Sequence, residues 1–491
     1  MLSGRDIPMD ILPFIVGHLD DRRDLFNATL VNKSFYQATI PLLYEELDSR
    51  LISSSKGLVV LHPAETLLQK PELAKYVRIV NESGHVHGAP QTRAQNIHIL
   101  SLWALRLCTS LRTFSWVDDN FLPDEIFLGI LDVLRTLPLT ELTIRTFKNL
   151  GNPVWEVLHQ IKGLKSVSIL CMEGPPRILQ GWSETLSLTL THLELGRCSG
   201  VPPTLLLNVF SHLQMLTHLR IKGAHTPSLP YFIQALPRLR ALDTDYTGSG
   251  AIRPYHGQLR MPSLEILCLK AGSVDAGGPP GLWSCARTLL STKSSSLREF
   301  RLNTFSILGE TRIPRPFLLF MAEMHGRTLA RFLVGTTLLL LDDVACVCDM
   351  LPKLEELSCT IPNVDPQEIQ NATAHAYNLR VLRLNTPMFT GSTFRSSFPP
   401  SRRDCRDGPT LSTMNINPAN FDPLDIGKRT CRHSFSIEDA RYMMLRQRSR
   451  LRQITVGPLS FGGQWVYDNS APENVRFEVV QVHIDNARGE A

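Results

Sequence analysis

The residues best suited to metal chemistry are two histidines and two cysteines in short pairs. His85 and His87 are separated by one residue, and so are Cys346 and Cys348. Structural zinc sites use pairs separated by two to five residues, with a second ligand pair at a set distance. Neither pair meets that pattern, so the favoured interpretation is that all four are buried or surface residues of no special role. The sequence predicts no metal site.

Motifs for phosphate binding and for hydrolysis are also missing from the sequence. The glycine pairs Gly277-Gly278 and Gly462-Gly463 are not followed by the Lys-Ser/Thr of a phosphate-binding loop. A Gly-x-Ser-x-Gly elbow and a His-Glu-x-x-His motif do not occur. We therefore expect a protein that is not an enzyme and uses no cofactor, although an enzyme with a pocket among its repeats stays a minor alternative.

Composition indicates a folded, intracellular protein. The 491 residues are 43% hydrophobic and 20% charged, which excludes a wholly disordered chain. A net charge of +5 is too dilute to indicate nucleic-acid binding, and the longest apolar run, residues 332–341, is too short to cross a membrane. The early charges Arg5 and Asp6 argue against a secretory leader, and ten scattered cysteines are typical of reduced thiols. The expected location is the cytoplasm, the nucleus or both.

A short apolar frame, Leu-x-x-apolar-x-apolar, recurs along most of the chain. Its leading residues are Leu111, Leu139, Leu164, Leu190, Leu216, Leu239, Leu264, Leu297, Leu329, Leu354 and Leu379. Successive leading leucines are 23 to 33 residues apart, near the 20–29 residues of leucine-rich repeats. Thr244 and Cys359 replace the last apolar residue of the frame, so the array is irregular.

The segments between frames have the pattern of amphipathic helices. Residues 123–134, 153–161, 203–213, 230–236 and 366–377 each begin at a proline, which the first turn of a helix tolerates. A strand followed by a helix cannot bury its apolar face alone, whereas stacked neighbours can. The predicted fold is therefore α/β, with a curved leucine-rich-repeat solenoid whose parallel sheet lines the inner surface.

Strand alternation predicts which side chains of that sheet face solvent. Residues on either side of the last apolar position of each frame point away from the core. We predict that nine of them bind a target protein: Glu194, Arg220, Lys222, Asp243, Asp245, Lys270, Arg301, Asn303 and Arg383. The alternative is an ordinary solvated sheet face.

Residues 6–47 do not fit the repeat. Their pattern predicts a first amphipathic helix capped by Asp10, a charged turn, a second helix and a third element ending in an aromatic residue. Pro8 precedes an acid and the pair Ile11-Leu12, and a Leu-Val-x-x-x-Phe motif follows at residues 30–35. The motif Pro-Leu-Leu-Tyr then occupies residues 41–44.

This order resembles the F-box, and the last motif is similar to what many fungal F-box proteins carry after the box. Two departures are Ile7-Pro8, where the box usually begins Leu-Pro, and Val31-Asn32-Lys33, where Val-Cys-Lys/Arg is usual. The resemblance implies a Skp-type adaptor as partner and, through it, a cullin. The residues that the resemblance places at the adaptor are Pro8, Ile11, Leu12, Ile15, Leu19, Leu25, Leu30, Val31 and Phe35. A three-helix unit of this size cannot bury all its apolar side chains, so the rest need either the first repeats or a partner. Some of the nine residues must nevertheless form the small domain's own core, and the sequence does not divide them.

Four segments follow from these patterns. Residues 1–50 form the F-box, residues 51–389 the array, residues 390–434 a flexible insertion without periodicity, and residues 435–491 the last repeat with a C-terminal cap. The predicted function is a non-catalytic substrate receptor of a cullin–RING (SCF-type) ubiquitin ligase. The alternative is a repeat scaffold without a ligase role, in which residues 6–47 only cap the first repeat.

Overall fold

A computed structural model describes twelve stretches of the chain. They are residues 8–54, 57–88, 97–118, 122–171, 181–248, 261–273, 281–291, 296–306, 311–362, 364–386, 435–467 and 475–482. Two compact units are present. Unit 1 comprises residues 1–272 with 279–297, and unit 2 comprises residues 273–278 with 298–491. The predicted flexible insertion, 390–434, lies outside the described residues.

Three helices open unit 1, as the sequence predicts: α1 (Leu12–Val16), α2 (Arg22–Thr29) and α3 (Lys33–Leu43). Both α1 and α2 pack on α3. The prediction that Asp10 caps the first helix is wrong, because Ile11 occupies the N-cap and makes no side-chain hydrogen bond there. Pro13 lies in the first turn, where its missing N–H costs no helical hydrogen bond.

Side chains fix the start of the next two helices. The Asp21 carboxylate accepts a hydrogen bond of 2.8 Å from the main-chain N–H of Arg23 at the start of α2. The Asn32 side-chain oxygen accepts one of 2.9 Å from the N–H of Phe35 at the start of α3. These caps satisfy main-chain donors that have no partner within the helix, so short polar residues determine where both helices begin.

The remainder of unit 1 alternates strands and helices. Its strands are β1 (Glu46–Asp48), β2 (Arg50–Ser54), β3 (Gly57–Leu61), β4 (Ile79–Ser83), β5 (Thr113–Asp118), β6 (Glu141–Thr146), β7 (Ser166–Cys171), β8 (His192–Leu195), β9 (His218–Ile221), β10 (Ala241–Tyr246) and β11 (Ile266–Ser273). Its helices after α3 are α4 (Ala64–Gln69), α5 (Gly84–Gly88), α6 (Ile97–Leu107), α7 (Asp124–Leu134), α8 (Asn152–Leu158), α9 (Trp182–Leu186), α10 (Pro203–His212), α11 (Leu229–Gln234) and α12 (Leu282–Leu290). Short 3-10 turns cover Pro71–Tyr76 and Thr226–Ser228.

The strands of unit 1 form a parallel sheet in the order β1-β4-β5-β6-β7-β8-β9-β10-β11. Equivalent residues of successive frames pair directly, so that Phe114 lies beside Leu142 and Leu142 beside Val167. The hairpin of β2 and β3 is a separate antiparallel pair. Because each frame repeats the same register, the apolar residues form continuous rows on one face of the sheet.

Unit 2 continues the same design. Its strands are β12 (Glu299–Ser306), β13 (Arg331–Leu338), β14 (Glu356–Thr360), β15 (Val381–Asn385), β16 (Gln453–Val456), β17 (Leu459–Tyr467) and β18 (Val475–Val482). Its helices are α13 (Arg315–His325), α14 (Leu341–Met350), α15 (Pro366–Ala372) and α16 (Ile437–Leu445). Strands β12 to β16 are parallel, and β17 and β18 extend the sheet in the antiparallel sense.

In each unit the core lies between the sheet and its helices. All eleven leading leucines of the frame are at most 3% exposed. Trp116 of β5 stacks on Phe127 of α7 with ring centroids 5.1 Å apart, and Phe300 of β12 lies 5.7 Å from Phe317 of α13. The predicted strand–helix repeat and parallel sheet are therefore confirmed, and the chain contains a leucine-rich-repeat-like array.

The sheet extends further than the frame predicts at both ends. Strand β1 lies within residues 1–50, so the sheet of unit 1 begins inside the segment assigned to the F-box. Strand β17 has no counterpart in the prediction, whereas β18 is the terminal strand that the sequence predicts. In the described ranges, no helix combines the length and apolar character that a membrane-spanning segment needs.

Candidate interaction surfaces

The three N-terminal helices enclose a small core. Leu12 and Val16 of α1 point inward one helical turn apart, and Leu25 and Ala28 of α2 do the same. Ile40 of α3 is buried with them. Arg22 of α2 donates a hydrogen bond of 3.1 Å to the Leu43 carbonyl at the end of α3, and its ion pair of 3.5 Å with Asp48 of β1 connects the bundle to the start of the sheet. The bundle therefore has a core of its own and is attached to the array.

The outer side of the same helices is apolar. Eight of the 23 large hydrophobic side chains that are exposed among the described residues lie between positions 9 and 36. We call them the apolar N-terminal surface: Met9, Ile11, Phe14, Ile15, Phe26, Leu30, Val31 and Tyr36. Phe14 is 76% exposed and Leu30 70%. Such a concentration in 28 residues is typical of an interaction site rather than of scattered surface residues.

The nine residues predicted to contact an adaptor divide into three groups. Leu12 and Leu25 are buried at 2% and 7% exposure and belong to the core. Leu19 and Phe35 are partly exposed. The other five are exposed on the outer side: Pro8, Ile11, Ile15, Leu30 and Val31. Sequence reasoning missed Met9, Phe14, Phe26 and Tyr36, although Phe14 follows Ile11 by three residues and Leu30 follows Phe26 by four, which is the spacing of one helical face.

A second surface is the solvent face of the unit 1 sheet, where opposite charges alternate. The Arg220 guanidinium lies 3.1 Å from a Glu194 oxygen and 3.1 Å from an Asp243 oxygen. The Lys222 ammonium contacts Asp243 and lies 3.2 Å from an Asp245 oxygen. We call these five residues the unit 1 ladder. Five of the nine residues predicted to bind a target are thus brought together.

A groove of about 290 Å³ runs along this face, across strands β7 to β11. Its walls include Glu194, Arg220 and Asp243 of the ladder together with His192 and His218. The two histidines begin β8 and β9, pair directly in the register, and stack with ring centroids 4.1 Å apart. Sequence reasoning missed them because it considered only the two positions next to the last apolar residue. Because side chains alternate between the two faces of a strand, the residue two positions before Glu194 or Arg220 also faces solvent. These residues are His192 and His218.

Unit 2 carries a ladder of its own on its sheet face. Arg331 lies 2.9 Å from Glu299 and 3.1 Å from Glu356, and Arg383 contacts Glu356 in turn. Arg301 closes the ladder on Glu299 at 2.8 Å. The predicted residues Arg301 and Arg383 therefore join a network whose other members the sequence argument missed, again because they begin their strands.

Two predicted target-binding residues stand apart from these networks. Lys270 of β11 is exposed, and Asn303 of β12 is exposed. Neither makes an ion pair with a residue in the part of the chain that the structure describes. Their role in target binding stays a prediction.

A buried carboxylate in unit 1 was not predicted. Glu82 occupies the last apolar position of a frame that begins at Val77, one repeat before the first frame found in the sequence, and it pairs with Trp116 in the register. Glu82 is 6% exposed. His62 and His87 each place Nε2 at 3.0 Å from one of its oxygens, and Ser101 donates to it at 2.8 Å.

These donors keep Glu82 ionised. Burial by itself raises the pKa of Glu82, but the hydrogen bonds from His62 and His87 outweigh it and hold that pKa well below its usual range. The interpretation that His87 has no special role is therefore wrong. An acid at a position that the frame reserves for an apolar residue was the signal, because a buried carboxylate requires partners.

His62, Glu82 and His87 also form the one group of three metal-ligand types that lies close together in the described residues. The tautomer of His62 argues against an ion there. Its Nδ1 accepts a hydrogen bond of 3.1 Å from the main-chain N–H of Ala64, so the ring proton of the neutral side chain sits on Nε2. A nitrogen that carries a proton cannot bind a metal. The group is a hydrogen-bonded carboxylate.

Five buried cysteines are free thiols: Cys108, Cys198, Cys285, Cys348 and Cys359. Burial raises the pKa of Cys108, Cys198, Cys285 and Cys348 to about 12, which makes them poor nucleophiles at neutral pH. The N-terminal helices offer apolar side chains for burial against a partner, and the two sheet faces offer charged side chains for recognition.

Comparison with known proteins adds little to this description. No protein-family model matches the sequence, and no curated protein matches it. Among solved structures, the Toll–Spatzle complex of Drosophila is similar at 12% identity and a TM-score of 0.31, covering 70% of this chain and 50% of that one. The TLR13–ssRNA13 complex is similar at 14% identity and a TM-score of 0.32, covering 71% and 59%.

Both are leucine-rich-repeat proteins, and this chain spans about half to three fifths of their length. Scores of this size carry no argument about function. The assignment of the array rests on its own strand register and buried leucines.

Proposed function

We propose that this protein is a substrate-receptor subunit of a cullin–RING ubiquitin ligase. Its N-terminal helices would bind a Skp-type adaptor, and its sheet faces would bind a target protein. The apolar N-terminal surface is the observation that carries the proposal, together with the F-box resemblance of residues 6–47. The chain leaves this surface in water although its own small core is already closed.

The energetics favour a permanent partner for that surface. Burying a large apolar side chain is worth about 1.5–3 kcal/mol, and exposed aliphatic and aromatic anchors supply most of the affinity of protein interfaces. Ile11, Phe14 and Ile15 present one stripe of α1, and Phe26 and Leu30 present one stripe of α2. Apolar side chains of this kind form the centre of stable protein interfaces.

The sheet faces suit the selection of a target. Charged groups arranged in ladders give specificity and steer association, whereas they add little net affinity when each charge already has a partner. The unit 1 ladder combines three carboxylates with two cations along one groove. A target that matches this order of charges can exchange one set of ion pairs for another, and a mismatched target cannot.

In this role the chain would perform no covalent chemistry. Its contribution to ubiquitin transfer would be to hold a target lysine near the loaded conjugating enzyme, which raises the effective concentration of the two reactants. This agrees with the high pKa values of the buried thiols, since a cysteine that carries ubiquitin must ionise readily.

Co-purification of the full chain with a Skp-type adaptor tests the proposal. The variant Ile11→Asp, Ile15→Asp, Val31→Asp places three charges on exposed positions and leaves the core residues Leu12 and Leu25 unchanged. We expect adaptor binding to weaken by more than 100-fold, about 2.7 kcal/mol, because charges would be buried without partners.

A matched control is available on the array. Leu188 is 84% exposed and lies far from the N-terminal helices in the sequence, so Leu188→Asp makes the same kind of change elsewhere. This variant should retain full adaptor binding. Undiminished binding by the triple variant would remove the adaptor claim.

One observation favours the alternative, a repeat scaffold without a ligase role. The N-terminal helices are joined to the start of the sheet by the ion pair of Arg22 with Asp48 of β1, as a cap on the first repeat would be. Hydrogen exchange separates the two functions. A cap protects its amides equally in the free chain and in the presence of adaptor, whereas an adaptor-binding surface gains protection when adaptor is added.

A further inference from the structure

The stacked pair of His192 and His218 has a feature that the proposed function does not use. The two rings are nearly parallel, at 12°, with centroids 4.1 Å apart, and both side chains are exposed at the groove of unit 1. They occupy equivalent positions of successive repeats, at the start of β8 and β9. The repeat therefore places two imidazoles side by side on the surface.

The neighbouring threonines determine which ring nitrogen carries the proton. The Thr191 hydroxyl donates to the Lys165 carbonyl at 3.1 Å, and the Thr217 hydroxyl donates to the Thr191 carbonyl at 3.0 Å. Each hydroxyl has only one proton, so it can only accept from the histidine that follows it. The Nδ1 atoms of His192 and His218 lie 2.8 and 2.9 Å from those oxygens and must be the donors.

The consequence is that both Nε2 atoms carry free lone pairs. No hydrogen bond to either Nε2 is found within the described residues. Burial and the neighbouring His192 lower the pKa of His218, which favours the neutral ring. Neutral imidazole whose Nδ1–H donates to an oxygen acceptor is a form in which histidine binds metals through Nε2.

We propose that His192 and His218 form a two-nitrogen site for a divalent transition-metal ion, with Cu²⁺ bound most tightly. Imidazole suits copper, nickel and zinc, and copper heads their order of affinity. Metal–nitrogen bonds of about 2.0 Å require the two Nε2 atoms to be roughly 3 Å apart. The exposed rings are now nearly parallel and about 4 Å apart, so binding of one ion requires each ring to turn until the two Nε2 lone pairs point to the same position.

The arrangement is the reverse of the one around Glu82. There His62 accepts a main-chain N–H at Nδ1 and carries its proton at Nε2, whereas here Nδ1 is the donor and Nε2 is free. The remaining coordination positions of the ion would open toward the groove, where water or a side chain of a bound protein could occupy them. The proposed metal site follows from these contacts alone and does not depend on the ligase proposal.

Titration of the full chain with Cu²⁺, followed by calorimetry and electron paramagnetic resonance, tests the site. We expect one ion per chain with a spectrum showing two coupled imidazole nitrogens. His192→Ala and His218→Ala should each weaken binding by at least about tenfold, since each removes half of the protein ligands. The matched control His225→Ala removes another exposed histidine of unit 1 and should change nothing.

Two further variants test the role of the threonines. Thr191→Val and Thr217→Val keep the side-chain shape but remove the acceptor of each Nδ1–H, and loss of such a partner typically lowers metal affinity by about 10–100-fold. A purely structural threonine would leave the affinity unchanged. Unaltered Cu²⁺ affinity in both His→Ala variants, or a spectrum without two imidazole nitrogens, would overturn the proposal.

Discussion

The N-terminal helices and the sheet face of unit 1 expose opposite kinds of side chain to solvent. On the helices, eight large apolar side chains remain exposed beside a closed core. On the sheet face, charged side chains stand in the open but are already paired with one another in the unit 1 ladder. The apolar N-terminal surface is therefore not covered by its own chain, whereas the charges of the unit 1 ladder already have partners within the chain.

This difference shows how one chain can separate affinity from selectivity. Exposed apolar area supplies a large, non-directional gain when any complementary surface covers it. Paired charges supply little gain, but they penalise a partner whose charges are in the wrong order. A receptor that must always hold the same adaptor and yet discriminate among targets would use the two kinds of surface in this division.

The sharpest test of the division compares two leucines of the N-terminal helices. Leu12→Ala should destabilise them by about 2–5 kcal/mol because it opens a cavity in the core, whereas Leu30→Ala should stay within about 0.5 kcal/mol. Leu30→Ala should instead weaken adaptor binding by about tenfold or more. Hydrogen exchange of α1 to α3 and adaptor affinity measure the two effects. Equal destabilisation by both changes would contradict the assignment of core and contact.

The second prediction contrasts a buried charge with the ladder. Glu82→Gln should lower the free energy of unfolding of unit 1 by about 3 kcal/mol at pH 7, because it removes the negative charge and replaces one of the two acceptor oxygens with an NH2 group that cannot accept from a histidine. Chemical denaturation followed by hydrogen exchange of the amides in β4 and β5 of unit 1 measures this loss. A change below about 1 kcal/mol would show that the carboxylate is not ionised in the fold.

The same residue predicts a pH dependence. The pKa of Glu82 is lowered on folding, so its stabilisation is complete above the unfolded value of about 4.3 and is lost as the pH falls below it. The natural chain should therefore lose more stability between pH 6 and pH 3 than Glu82→Gln. Parallel pH profiles of the two chains would refute this.

The next prediction concerns how adaptor binding depends on salt concentration. Raising ionic strength from about 0.1 M to 1 M shortens the Debye length from about 10 Å to 3 Å and screens exposed charges. Adaptor binding through the apolar N-terminal surface should change by no more than about threefold over this range. A steep fall in affinity would show that charges, and not Ile11, Leu30 and their neighbours, carry that contact.

The smallest effect is expected on the ladder itself. Arg220→Ala removes ion pairs with Glu194 and Asp243, but the arginine side chain is 42% exposed and solvent screens the interaction. The free energy of unfolding should fall by no more than about 1 kcal/mol. Arg220→Lys serves as the control that keeps the charge. A loss of unfolding free energy as large as that expected for Glu82→Gln would contradict the distinction between the exposed ladder and the buried carboxylate.

Local patterns predicted the repeat well because each repeat is specified by neighbouring residues. The frame gave the positions of strands β5 to β15. Helices that begin at Pro203 and Pro366 follow from the same local rule. The repeat that begins at Val77 was missed because Glu82 replaces the last apolar residue of its frame. The periodic pattern in the sequence therefore starts at Leu111, although the sheet already contains β1 and β4 before that residue.

The sequence by itself determined the strand–helix repeat, the three N-terminal helices and the rows of outward-facing charge, since these depend on spacing along the chain. Only the tertiary structure decided which apolar residues of the first helices are core and which are exposed, because both kinds share one composition and differ only in what packs against them. It also joined His62 to Glu82 and stacked His192 on His218. These contacts connect residues 20 and 26 positions apart in the sequence. Parallel strand register places His218 beside His192, and the packing of the segment after β3 against β4 places His62 beside Glu82, so local sequence alone could not predict either pair.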